Sequence, residues 1–127
     1  MGIHIRWDDR QQTRILIEFE SLWTIEELKA AILRADEMII SVGHRVDILA
    51  DIEGTSLPSD PMGLLKALLE EGDARANEGR RIVVGANSFI RNGYKMAKTL
   101  FSKQLAGRDL LFADDLDIAR AILRDNH

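Results

Sequence analysis

Cysteine is absent from the 127 residues, which excludes a disulfide framework, a thiolate nucleophile and a cysteine-ligated zinc or iron–sulfur centre. A reducing cytoplasm fits that absence. The histidines, His4, His44 and His127, are scattered, and none has a second histidine one helical turn away, so the spacing of a metal site is missing and no metal is expected. Proline occurs only twice, too rarely for a collagenous or linker-like chain. No apolar run approaches the roughly 20 residues needed to cross a bilayer. The start, MGIHIRWDD, lacks the charged segment followed by an apolar run that marks an export signal, and Arg6 and Trp7 stand where a lipidation motif calls for Ser or Thr. Basic charge is in deficit, with 17 Lys and Arg against 21 Asp and Glu, a formal charge of -4 and a pI near 5.4. That balance argues against nucleic acid or an anionic membrane as partner. Neither the glycine and lysine spacing of a phosphate loop nor a dinucleotide fingerprint occurs, and no organic cofactor is expected.

What is present is a globular composition, 46% hydrophobic and 30% charged. At this length one domain spanning 1–127 buries about two-thirds of its unfolded surface. Ile3 to Trp7 alternates apolar and polar, DDRQQ turns the chain, and Thr13 to Glu20 alternates again through Ile15, Ile17 and Phe19, which predicts a β-hairpin. Thr24 and Glu27 form a capping box ahead of a helix over Ile25 to Ser41, with Leu28, Ile32, Ala35 and Ile39 on one face and Gly43 as a left-handed terminator. Val46 to Ile52 reads as a buried strand. A polar loop follows, and Pro61 opens a second helix faced by Leu64, Leu65, Leu68 and Leu69. That helix ends in polar EEGDARANEG. Arg81 to Ala86 predicts a further strand, Asn87 or Ser88 caps a helix striped by Ile90, Tyr94, Ala97, Phe101 and Leu105, and Gly107 ends it. Asp109 to Ala113 is a last strand before a helix capped by Asp114 or Asp115, with Ile118, Ala119, Ile122 and Leu123 facing inward. The order is ββαβαβαβα, an α/β fold with about four helices on a mixed sheet of about five strands. Its hairpin is antiparallel and its later strands parallel.

Asp51, Gly54, Gly63 and Leu64 reproduce a strand-to-helix pattern, Asp-x-x-Gly followed by Gly-Leu, and with this element order the chain resembles the STAS domain family. That family comprises the bacterial anti-anti-sigma factors and related domains of anion transporters. The resemblance implies a single STAS-like domain and a non-enzymatic role in signalling through a protein partner. In the signalling members a Ser or Thr just before Gly-Leu is phosphorylated by a kinase that is also an anti-sigma factor. Here Pro61 and Met62 stand there, the loop is about one residue longer, and Ser59 is the nearest hydroxyl. The C-terminal half, with VVGANSFIRNG and FADDLDIARAIL, is similar to divergent bacterial STAS-like proteins of unassigned function.

The first candidate site is therefore the loop carrying Asp51, Glu53, Gly54, Thr55, Ser56, Ser59, Asp60 and Met62, as a partner-facing or phosphoaccepting surface. The same residues also serve as ordinary turn and capping residues. The second is an anion-binding turn of Gly85, Asn87, Ser88 and Arg91, which competes with a plain helix cap. Arg91, Lys95, Lys98, Lys103 and Arg108 run without an acid between them, as a docking segment for an acidic partner or a solvated helix face. His44 beside Asp47 assembles no triad, because strand alternation puts Asp47 on the face opposite Val46 and Ile48. Three roles stay open: an interaction module working through the first loop, a small-ligand or anion-binding protein or enzyme using the strand ends after Ile52 and Gly85, and a mainly structural homodimer.

Overall fold

The computed structural model describes residues 2–55, 77–100 and 110–125. The expected second helix from Pro61, with Ser56, Ser59, Asp60 and Met62, lies outside the described residues, as do Phe101, Leu105, Gly107 and His127. The described elements are β1 (Ile3–Trp7), β2 (Arg14–Phe19), α1 (Ile25–Ile40), β3 (Val46–Asp51), β4 (Glu78–Val84), α2 (Ser88–Leu100), β5 (Leu110–Ala113) and α3 (Leu116–Asp125). They give an α/β fold with five strands and, among the described residues, three helices rather than the four expected.

The strands form one sheet in the order β1-β2-β3-β4-β5, with β1 antiparallel to β2 and every other pair parallel. The hairpin turn is built by Asp9, whose carboxylate accepts from the amides of Thr13 at 2.8 Å and Arg14 at 3.1 Å and from the Thr13 hydroxyl, while Gln12 takes φ 58°. Burial alone would raise the Asp9 pKa, but these donors outweigh it and the net shift is downward. Strand alternation divides the apolar residues between two faces. Ile15, Ile17, Val46 and partly buried Ile3, Ile5, Trp7 and Ile48 meet Ala35, Met38 and Ile39 of α1. Leu16, Leu49, Ile82, Val84 and Ala113 meet Ala119 and Leu123 of α3. Tyr94 of α2 packs edge-on against Phe112 at 5.6 Å, on the side of α1, because Phe112 alternates with Ala113. The sheet thus lies between α1 and α2 on one face and α3 on the other. Each fully buried leucine contributes roughly 1.5–3 kcal/mol.

Three local expectations change, and one irregularity is added. Gly43 is not the left-handed terminator, since positive φ occurs in the described glycines only at Gly54 and Gly85. The end of α1 is closed instead by the Ser41 hydroxyl, donating to the Met38 carbonyl at 2.6 Å, and by the Asn77 side-chain amide, donating to the carbonyls of Ile39, Val42 and His44 at 2.9, 3.1 and 3.0 Å. β4 begins at Glu78, within the stretch read as a polar helix tail. The β3–β4 register shifts between Val46 and Ile48, and the Asp47 carboxylate takes the Arg80 amide at 2.7 Å there. Ile118 is 44% exposed although its helix is docked, because Ala119 and Leu123 occupy the inward face.

Candidate functional site

All four parallel strands point the same way, so the segments after Phe19, Asp51, Val84 and Ala113 gather at one pole of the sheet. The described residues of both candidate loops, Asp51 to Thr55 and Gly85 to Arg91, lie there or begin there. Their junction is a backbone contact: Gly85 has φ +83°, and a Cβ built on it would stand 2.7 Å from the Glu53 Cβ and 2.8 Å from the Glu53 Cα. Only glycine fits, on conformational and on steric grounds. Glu53 in turn is placed by Asp51, whose side chain accepts the Glu53 amide at 3.1 Å. Gly54 at φ +78° then completes a tight turn closed by the Thr55 amide donating to the Ile52 carbonyl at 3.1 Å.

Thr55 is fully engaged. Its hydroxyl accepts from the Trp23 indole N–H at 2.8 Å and donates to the Glu20 carbonyl, tying the loop after β3 to the segment before α1. Trp23 is held against Phe19 with ring centroids 5.0 Å apart and packs with Leu28. The start of α1 has its own clasp. Thr24 Oγ1 accepts the Glu27 amide at 3.1 Å, and the Glu27 carboxylate accepts from the Thr24 hydroxyl at 3.3 Å and the Gly2 amide at 2.5 Å.

β4 feeds α2 and β5 feeds α3, so the two loops leave for opposite faces of the sheet. In an open α/β sheet, divergence of neighbouring loops opens a crevice at the strand ends. Arg91 spans this one. Its Nε donates to the Ala86 carbonyl at 3.1 Å, its guanidinium reaches Asp114 Oδ1 at 3.2 Å, and it lies 5.4 Å from the centroid of the Phe112 ring. Asn87 stands one residue before α2, its carbonyl accepting the Arg91 amide at 3.0 Å, and Asn87 and Ser88 are exposed. The turn Gly85, Asn87, Ser88 and Arg91 is thus a connected unit with its cation already held by the protein. Asp115 caps α3 by accepting the Ile118 amide at 2.9 Å.

Around this frame the exposed charge is acidic. Glu53, Asp114 and Asp115 are exposed, Asp51 is half-buried, and the Asp114 side chain is 85% accessible. Lys95 of the basic run is exposed one turn beyond Arg91, while Lys103 and Arg108 lie outside the described residues.

The histidines do other work. His4 Nε2 lies 3.0 Å from Glu20 Oε1, and His44 Nε2 lies 2.8 Å from the Gln12 carbonyl. Asp47, fully buried, meets Arg45 at 3.0 Å and the Arg80 amide, on the opposite face from Val46 as alternation requires. Among the described residues no group of three His, Asp or Glu side chains is placed to hold a metal ion. None of their helices is long and apolar enough to cross a membrane. Sequence reasoning missed Asp114 as the partner of Arg91 and Trp23 as the partner of Thr55. The one available signal was topological, since parallel strands must bring their carboxyl ends together. In comparisons with known proteins, no family model, no curated protein and no solved structure matches this chain.

Proposed function

We propose that the chain is a non-enzymatic protein-interaction module of regulatory type, similar in plan to a STAS domain, which engages a basic partner surface through the acidic pole of its sheet. The observation that carries this reading is the packing of Gly85 against Glu53, which sets two strand-end loops in one fixed frame with Glu53, Asp114 and Asp115 facing solvent. Fixed exposed carboxylates favour recognition of a complementary charged surface and steer its approach. A buried small-molecule site is disfavoured, because Arg91 itself occupies the crevice between the diverging loops and is neutralised by Asp114. Thr55 is disfavoured as a phosphoacceptor, since both roles of its hydroxyl are taken. Affinity capture from lysate of the native cell, with the wild-type chain and with Asp51→Lys, Glu53→Lys and Asp114→Lys combined, is the direct test. Circular dichroism verifies that the variant is folded. Loss of the captured protein in the folded variant is the expected result, and retention of every captured protein refutes the reading.

A further inference from the structure

A second surface, along the outer edge of the sheet, has the parts of a strand-binding groove. Among the described residues β1 is the last strand of the sheet, so one side of its backbone has no described strand beside it. Which residues face outward follows from the pairing. The Glu20 amide donates to the Gly2 carbonyl and the Asp8 amide to the Arg14 carbonyl, both at 2.8 Å, which makes Gly2, His4, Arg6 and Asp8 the hydrogen-bonded positions toward β2. In an antiparallel ladder the alternate positions then direct both backbone groups the other way. These are Ile3, Ile5 and Trp7.

The side chains of Ile3 and Ile5 form one wall of an open groove of about 330 Å³, whose other wall is Glu26, Glu27, Ala30, Ala31 and Arg34 of α1. A free strand edge beside a helix-flanked apolar groove is the arrangement by which sheets capture extended peptides: main-chain bonds give affinity and the groove takes alternate side chains. The edge is straight, its register with β2 running unbroken from Ile3 to Trp7, and β1 contains no proline. On the other face His4 pairs with Glu20 and Arg6 with Glu18, so that β1 itself turns only Ile3 and Ile5 to the groove. Neither a bulge nor a proline, two of the devices that blunt natural sheet edges, interrupts β1.

Charge selects the occupant. The Gly2 amide on Glu27 places Glu26 and Glu27 beside the start of β1, while Arg34, paired with Glu37 at 3.3 Å and 58% accessible, lies two turns further along α1. We propose that this edge binds an extended segment of a partner protein, with small aliphatic side chains at alternate positions, a basic residue beside Glu26 and Glu27, and an acidic residue beside Arg34.

The test uses the full chain, isotope-labelled for amide NMR, and a capped synthetic peptide of alternating valine and threonine with lysine at one end and glutamate at the other. Expected are saturable shifts and at least roughly tenfold slower exchange at the Ile3, Ile5 and Trp7 amides, with His4 and Arg6, already bonded to β2, changing little. Methylating the peptide nitrogens of one alternate set should abolish binding, and methylating the other set should preserve it. Ala30→Lys, an exposed change that fills the groove without touching the core, should weaken binding at least roughly tenfold. The proposal is overturned by the absence of shifts at about 1 mM peptide, by equal loss with both methylated peptides, or by sedimentation showing that β1 pairs with a second copy of the chain. It stands independently of the acidic pole, since Asp51→Lys and Glu53→Lys should leave peptide binding intact.

Discussion

Replacing Asp8 by asparagine should destabilise the fold in a manner that disappears at low pH. The Asp8 side chain is only 4% accessible and receives three charge-assisted bonds: Arg120 at 2.7 and 3.0 Å, a bidentate pair from α3, and Arg14 Nε at 3.1 Å. Removing one member of a buried ion pair costs about 3–5 kcal/mol. Here the partners keep some water, Arg120 at 30% and Arg14 at 19% accessibility, so the loss for Asp8→Asn at pH 7 should be nearer 2–3 kcal/mol, or roughly 6–12 °C in Tm. The hydrogen bond from Arg120, ahead of burial, which acts in the opposite direction, sets the net effect and holds the Asp8 carboxyl below its ordinary value. A native pKa below the unfolded one means that the stabilisation is complete above the ordinary carboxylate range and fades as pH falls through the depressed native value. Asparagine has no such titration. Urea unfolding of both proteins should therefore give a difference of about 2–3 kcal/mol at pH 7 that shrinks toward zero near pH 2. Asp9, also depressed, is present in both proteins and cancels. A difference under about 0.5 kcal/mol at pH 7, or one equally large at low pH, would refute the assignment of Asp8 as the ionised clasp of α3.

Two further predictions concern the acidic pole and its anchors. Gly85→Ala should lower stability by about 1–3 kcal/mol in chemical denaturation, because the new methyl meets Glu53 and the φ of +83° is strained for alanine. It should also broaden or shift the amide resonances of both loops; unchanged stability and spectra would show that the loops are not locked together. Trp23→Phe keeps most of the ring packing but removes the donor to Thr55, so it should cost about 1 kcal/mol. Combined with Thr55→Val it should cost less than the sum of the two, and strict additivity in that double-mutant cycle would contradict the contact.

Legibility in the sequence tracked the range of the interactions involved. The hairpin, α1 and the last helix were readable because their determinants are local: alternation through Ile15 and Ile17, the Thr24 and Glu27 box, and the Asp115 cap. Placing the two loops together was readable from topology. What could not be read was long-range polar chemistry. Asp8 and Arg120 are 112 positions apart, and Asn77 closes a helix 38 positions before it. Neither end of such a pair carries a pattern, since a lone Asp in a turn or Asn after a polar run looks the same whether it is solvated or holding distant backbone. The misplaced start of β4 has the same origin, for Glu78, Gly79 and Arg80 become strand through the Asp47 carboxylate and not through propensity.

These polar residues, Asp47 buried and the others partly so, are not spread evenly. Asp8, Arg14, Asp47, Asn77 and Arg80 lie at the pole where the parallel strands begin, where they join the hairpin to α3, β3 to β4, and the end of α1 to the segment before β4. Among the described residues, Glu53, Asp114 and Asp115 are exposed carboxylates at the other pole, where the strands end. Breaking a buried ion pair is expensive, whereas exposed acids contribute little to folding, so the two poles differ in how much substitution they tolerate. Glu53 or Asp114 can change at little cost to the fold, whereas a change at Asp8 or Asp47 is expensive. The beginning of the strands therefore carries the costly polar joints, whereas at the ending pole the packing of Gly85 against Glu53 fixes the backbone and leaves the exposed acidic side chains open to substitution.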